Sequence, residues 1–351
     1  VLLNGGTGIA VGMATDVLPH NLIEVLDACT YLLDRPKATV LDIMKIIKGP
    51  DFPSDAQIVT PVSDIEEIYA IGKGSVKTRA IYSVENGDIV IHALPYQSSP
   101  VKVLEQIAQQ MNSKKLSMLA DLRDESDYDN PTRLVLVPRS NRVDVERLMS
   151  HLFATTDLER SHRVNMNMIG LDGRPATKNV LEILNEWLKY RETTVKRRLS
   201  FRLEKIVDRL HILEGLMAAY FSIDEVIQII REAEEPRIEL MKRFELSETQ
   251  ANAILDLRLR QLAKLEEIKI KGEIDSLRLE KKEIDKILGS RTRLKTLLKN
   301  EFRYPIGYSD NGDNLLVPLI AAPSSSPVIK RLIEPLNFLL FATKLLTAET
   351  N

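Results

Sequence analysis

The chain has a single cysteine, Cys29, in 351 residues. That excludes an internal disulfide and a zinc site built on cysteines alone. With Ala28 and Leu32 as neighbours, Cys29 reads as a buried small residue suited to a reducing compartment. Aromatic residues make up only 5 %, which favours helices built on Leu and Ile over a β-sandwich. No long apolar run is present: the stretch from Leu336 to Leu346 contains Lys344 and is too short to span a bilayer. Neither sign of charge dominates, with 48 Lys and Arg against 50 Asp and Glu and a net charge of −2. Any nucleic-acid contact must therefore come from a local basic patch. The five histidines, His20, His92, His151, His162 and His211, are scattered without a nucleophile–base pattern. There is no initiator Met and no basic region before an apolar run, so the start is not a signal peptide. It reads as a cut inside a longer chain.

Up to about Pro175 the pattern is mixed α/β. Pro19-His20-Asn21 precedes a helical stripe of Leu22, Val25, Leu26, Cys29 and Leu33, with Asn21 as its N-cap. Val40 to Ile47 predicts a short helix stopped by Gly49-Pro50. Ile58-Val59, Val76 to Tyr82 and Ile89 to Leu94 predict strands, the last two joined by a hairpin at Asn86-Gly87. Leu104 to Met111 and Val143 to Phe153 predict helices, and Leu134 to Val137 a strand.

Near Lys178 the character changes. From Leu181 to Phe221 there is no Pro and only one Gly, Gly215. Leu181, Leu184, Leu188, Val195, Leu199, Leu203, Ile206, Leu210, Leu213 and Met217 form a heptad-type seam. About forty residues at 1.5 Å each extend ~60 Å, which predicts a coiled coil. Ile223 to Ile230, Ile238 to Phe244 and Thr249 to Leu262 predict shorter helices, the last opened by a Ser247/Gln250 capping box. Leu265 to Leu298 predicts a second long helix, with Leu277, Ile284, Leu288 and Leu294 on its stripe. The expected fold class is an α+β domain, residues 1–177, followed by a long antiparallel coiled coil with a small all-α tip. Its parts are an outgoing helix over 178–221, a helical knob over 222–264 and a returning helix over 265–301. Residues 302–351 lose the periodicity and carry Ala-Pro-Ser linker chemistry. Two readings remain for them, a flexible linker and an out-of-frame or chimaeric tail; the abrupt loss of period favours the second.

Asn4 to Asn21 reads NGGTGIAVGMATDVLPHN. Its glycines let backbone approach another surface, and Ile9 is an apolar tip among small residues. Such a tip can wedge between base pairs, though taken by itself a Gly-rich segment with one Ile is more often a turn into a core helix. The segment has no Gly-Lys-Ser/Thr and is not a Walker loop. Lys73, Lys77 and Arg79 lie on or beside a predicted strand, either as phosphate contacts or as a solvated face. Arg191, Lys196, Arg197, Arg198 and Arg202 open the long helix, where a charged exterior is the plainer reading. Asp124, Glu125 and Asp127 lie on a predicted loop and read as a network with Arg123 rather than a metal site.

The opening segment resembles the NG-x-x-GIAVGMAT-x-x-PPHN signature of the type IIA topoisomerase breakage–reunion subunit. The resemblance continues through Gly49-Pro50-Asp51-Phe52-Pro53, Gly72-Lys73-Gly74-Ser75-Val76, Leu94-Pro95-Tyr96-Gln97, Asp121 to Asp127, His211 to Glu214 and Gln250 to Leu259. It covers roughly Val1 to Glu301. Asn130 to Arg133, Pro138 to Arg142, Leu152 to Thr156 and Gly170 to Pro175 resemble the topoisomerase IV branch more than the gyrase branch.

The resemblance implies a tower domain with a DNA-wedge loop and a helical exit gate. DNA-binding residues would be Asn4, Gly5, Thr7, Gly8, Ile9, Lys73, Lys77 and Arg79, with Ile9 the intercalating residue. The gate contact of a homodimer would fall on Ala253, Ile254 and Leu257, whose other reading is local packing. The implied reaction is ATP-dependent double-strand breakage, passage and religation, which relaxes and decatenates DNA. Implied partners are double-stranded DNA and the B subunit of topoisomerase IV in an A2B2 heterotetramer. Mg²⁺ and ATP are expected on that B subunit, with no cofactor or metal on this chain. The catalytic Tyr and its neighbouring Arg are expected upstream of Val1, so this segment alone is expected not to cleave DNA. The expected location is the bacterial cytoplasm, on the chromosome, with peripheral association at the inner face of the membrane. Two departures stand out: Gly6 where the family usually has Ser or Thr, which loosens the loop, and Leu18 in place of the first Pro of Pro-Pro-His-Asn. The remaining alternatives are a gyrase segment of the same kind and a non-enzymatic coiled-coil DNA-binding protein.

Overall fold

The computed structural model describes residues 1–140, 142–257 and 264–303, with backbone alone for 264–266 and 303. The expected tail after Phe302 and the expected helix end at Leu262 lie outside these residues, apart from Arg303. The chain divides into two units, Val1–Leu188 and Lys189–Asn351.

The first unit holds two antiparallel sheets. One is ordered β1-β2-β9-β4-β3, from β1 (Gly6–Ala10), β2 (Met13–Val17), β3 (Gln57–Ile58), β4 (Lys73–Arg79) and β9 (Glu159–Asn165). The other is β5-β6-β8-β7, from β5 (Ile81–Glu85), β6 (Asp88–Ala93), β7 (Leu119–Asp124) and β8 (Leu134–Pro138). The predicted strand from Val76 to Tyr82 is in fact two strands broken at Ala80, whose N–H donates to Leu158 O as the chain passes between sheets. The β5–β6 hairpin turns at Asn86-Gly87 as expected, with φ of 53° and 94°. A tight two-residue turn of this hand needs positive φ at both positions.

Helices α4 (Pro100–Asn112) and α5 (Val145–Thr155) pack Val103, Ile107, Leu148 and Leu152 onto Ile89, Ile91, Leu134 and Leu136. Each such buried side chain stabilises the unit by roughly 1.5–3 kcal/mol. Helix α1 (Leu22–Asp34) starts where Asn21 Oδ1 accepts from the N–H groups of Ile23 and Glu24. Its buried stripe includes Cys29, whose thiol burial pushes up to about 12. Helix α2 (Val40–Met44) is opened by a Thr39/Asp42 capping box. Helix α3 (Val62–Ile71) and the small hairpin β10 (Asn167–Ile169) and β11 (Pro175–Thr177) were not expected from the sequence.

Helix α6 (Val180–Phe221) carries the predicted seam, with Val195, Leu199, Ile206 and Leu213 buried. In the second unit, α10 (Lys264–Leu288) and α11 (Arg291–Arg303) run antiparallel to it, as the ion pairs Arg191–Glu301, Arg202–Glu280 and Arg209–Glu273 show. The single helix expected over 265–298 is interrupted at Gly289-Ser290. Glycine has poor helix propensity, and Ser290 Oγ accepts from Arg293 N at 3.4 Å to open the next helix. Between α6 and α10 come α7 (Ile223–Glu232), α8 (Pro236–Phe244) and α9 (Glu248–Leu255). The Ser247/Gln250 capping box is formed. Gln250 Nε2 also donates to His211 O at 2.7 Å, and its side chain lies against Gly215, where a Cβ would come within 2.7 Å. That contact accounts for the lone glycine of α6.

Candidate nucleic-acid interface

The glycine-rich opening segment is a β-hairpin arm. Ile9 lies opposite Ala14 and Thr7 opposite Asp16, and the chain turns at Val11-Gly12 with Gly12 at φ 81°. Gly5, at φ 65°, sits at the root: an added Cβ would fall 2.6 Å from Val17 O, so only glycine fits. Gly6 has open space around its Cα, so sterics do not require glycine there. Five residue steps from Asp16 to Val11 reach roughly 16 Å. Along that reach Ile9 is 95 % exposed, Val11 fully so, and Met13 half. What sets this tip apart is that Ile9, Val11 and Met13 are exposed together at the end of a protruding ribbon, an apolar cluster suited to insertion or docking.

Strand register decides what shares a face with Ile9. Directly opposed residues lie on the same face, and the side-chain period is two. Asp16 lies opposite Asn165, and Asn165 opposite Lys73. One face therefore carries Thr7, Ile9, Asp16, Arg163, Ser161, Lys73, Ser75, Lys77 and Arg79. The opposite face holds the buried Val17, Val76, Thr78, His162 and Val164. There Thr78 Oγ1 and His162 Nε2 are 2.9 Å apart, and burial, with Arg160 nearby, pushes the imidazole below its usual range.

Lys73 and Lys77 are exposed and carry no ion pair among the described residues. Arg163 is 3.9 Å from Asp16, a loose contact. Arg79 is engaged: its Nη2 is 2.6 Å from Glu159 Oε2, and its guanidinium lies 4.7 Å from the Phe153 ring centre. The sequence reading missed Arg163, because β9 reads Glu-Arg-Ser-His-Arg-Val-Asn and its alternation is blurred by a buried histidine among charged neighbours. Asn4 is exposed in the turn before the arm, and Gly5 and Gly8 are half-buried.

Most of the other charged groups singled out from the sequence are used internally. Arg123 pairs with Asp88 and Glu125, Arg133 with Glu85 and Glu125, and Asp127 accepts from Asn130 N at 2.6 Å. Asp124 ends strand β7 instead of standing on a loop. No group of three or more His, Cys, Asp or Glu among the described residues could hold a metal ion. Of the basic stretch on α6, Arg191 and Arg198 both donate to the buried Glu301, and Arg202 donates to Glu280. In the helical knob, Ala253 and Leu257 are half-buried, while Ile254 is only 2 % exposed. Ile254 thus packs α9 into its own unit, and the outward apolar groups are Phe221, Ile227, Ile230, Ile238 and Leu255. No helix among the described residues is long and apolar enough to cross a membrane.

A family model described as the A subunit of DNA gyrase/topoisomerase IV matches residues 1–303. The A subunit of DNA topoisomerase 4 from Haemophilus influenzae is 61 % identical over 303 residues, covering 86 % of this chain and 41 % of that protein. Its counterpart in Pseudomonas aeruginosa is 60 % identical over 301 residues, covering 86 % and 40 %. That of Neisseria gonorrhoeae is 42 % identical over 326 residues, covering 86 % and 42 %. The chain therefore spans about two fifths of the length of these relatives.

Proposed function

This chain belongs to the family of DNA gyrase and topoisomerase IV A subunits, and from that premise we propose that it is the DNA-bending and exit-gate part of a topoisomerase IV. The observation that carries the reading is the register that sets Ile9 on one sheet face with Lys73, Lys77 and Arg163. Insertion of Ile9 unstacks one base step at a cost of a few kcal/mol. Phosphate contacts from the cationic strands to the bent duplex offset that cost. On this reading recognition is chiefly of backbone and deformability.

In the full-length protein this segment serves ATP-dependent double-strand breakage, passage of a second duplex and religation, with decatenation and relaxation as outcomes. Its partners are double-stranded DNA, a second copy of itself and two B subunits, which carry ATP and Mg²⁺. It works on the chromosome in the bacterial cytoplasm. The tower is residues 1–177, the outgoing helix 178–221, the gate 222–264 and the returning helix 265–301. The gate contact uses the knob's apolar surface near Ala253 and Leu257, with Ile254 supporting it from within. The reading assigns the cleaving role to none of the described tyrosines; of these, Tyr69 is hydrogen-bonded to His20, Tyr96 packs on Phe52 and Tyr82 packs on Phe153.

The test is bending of a short duplex carrying donor and acceptor dyes at its two ends. The chain should shorten the end-to-end distance, and Ile9→Ala should abolish the shortening while retaining salt-sensitive binding. Equal bending by Ile9→Ala would sink the wedge reading.

A further inference from the structure

The arm meets the rest of its sheet at one residue pair, Asp16 opposite Asn165. Outside the arm and apart from that pair, only β10 passes close to β2 among the described residues, so one ladder bridge does little to fix the ribbon's direction and side-chain ties to it matter. The Asn165 side chain supplies one. Its Nδ2 donates to the Ala14 carbonyl at 2.6 Å, and Ala14 is the residue directly opposite Ile9. The Asn165 backbone carbonyl also accepts from Thr15 Oγ1 at 3.4 Å. Turning the amide over would set its oxygen against the Ala14 oxygen, so the donor must face the arm. The cost is visible on the other atom: Asn165 Oδ1 is buried with no hydrogen-bond partner. Buried amide oxygens are seldom left in that state.

We propose that Asn165 is a positioning residue that sets the angle at which the arm presents Ile9 to a duplex, acting through the carbonyl of Ala14. The proposal rests on the wedge reading of Ile9. Asn165 touches no DNA in this scheme; it stiffens the strand behind the wedge. Without its N–H donor the arm samples several directions, and the fraction inserted falls although phosphate contacts from Lys73, Lys77 and Arg163 persist.

The experiment measures the bent fraction of the dye-labelled duplex at saturating protein, molecule by molecule, for four variants of this chain. Asn165→Leu, close in shape but without a donor, should lower the ratio of bent to straight duplex about fivefold, the effect of one ordinary hydrogen bond. The salt dependence of its binding should stay that of the parent. Asn165→His, whose Nδ1–H stands close to where the amide N–H was, should restore most of the bending. Asn165→Asp keeps the size and fold but cannot donate to Ala14 O, and should behave as Asn165→Leu does; it replaces that variant if the latter fails to fold. Ile9→Ala is measured beside them. If Ile9→Ala loses bending while both Asn165→Leu and Asn165→Asp bend like the parent, the positioning role is overturned and the wedge survives. If Ile9→Ala itself bends like the parent, the wedge reading fails and this proposal with it.

Discussion

Arg202 on α6 grips Glu280 on α10 with two parallel hydrogen bonds, Nε to Oε1 at 2.7 Å and Nη2 to Oε2 at 2.9 Å. The carboxylate is buried while the guanidinium remains a third exposed. Arg202→Met strands that carboxylate beside the seam. Loss of one partner of a fully buried pair costs about 3–5 kcal/mol, and the partial exposure here reduces the expected loss to about 1–3 kcal/mol. Replacing both, Arg202→Met with Glu280→Leu, should recover most of it, because no charge is left to desolvate. Urea unfolding followed by circular dichroism reads both. A double variant weaker than the single one would show that the pair itself, and not the orphaned charge, holds the helices.

The cationic face makes a graded prediction. Each phosphate neutralised contributes about 0.9 to the slope of log affinity against log salt concentration. Lys73→Ala, Lys77→Ala and Arg163→Ala should each lower the slope by about that amount. Arg79→Ala should lower it distinctly less, because Glu159 already neutralises that guanidinium at 2.6 Å. Fluorescence anisotropy across a salt series measures the slopes. Equal losses at all four positions would mean that DNA displaces Glu159, and no loss at any would remove this face from the interface.

These residues also show how far the sequence could be read. The seam of α6, the Asn21 cap, the Asn86-Gly87 hairpin and the Ser247/Gln250 box were legible because each depends on chemistry within one turn or one helical period. The arm was legible as glycine-rich but not as a hairpin: its strands are mostly Gly, Ala and Thr, and only cross-strand register turns them into a ribbon. Strand β9 was missed for a related reason. Its inward His162 is satisfied by Thr78 across the sheet, so a polar residue occupies a core position and blurs the alternation. Arg163 and Asn165 were hidden with it. Ile254 was legible as apolar, but whether an apolar side chain of α9 turns inward or outward depends on packing against residues far along the chain.

A last prediction concerns pH and the root of the arm. His20 is buried between Leu2 and Tyr69, with Nδ1 3.2 Å from Leu2 O and Nε2 2.7 Å from the Tyr69 hydroxyl. A carbonyl only accepts, so Nδ1 carries the proton and Tyr69 donates to Nε2. The ring is therefore neutral, and protonating Nε2 would oppose it to the hydroxyl proton. Burial pushes the imidazole below its usual range, against smaller raising effects from the Leu2 and Leu18 backbone and Asp51. A lowered value means that the unfolded chain binds this proton more readily. The stabilisation is complete above the unfolded value of about 6.5. It is lost progressively as pH falls from there to the folded value. His162 is lowered as well, so the parent should lose stability with up to two protons' dependence over this window. His20→Gln, which cannot take up a proton, should reduce that dependence by up to one proton, worth about 1.4 kcal/mol per pH unit. Urea midpoints collected between about pH 5 and 6.5, above the usual carboxylate range, measure the difference. Parallel profiles for parent and variant would show that His20 takes up its proton in the folded arm as easily as in the unfolded chain.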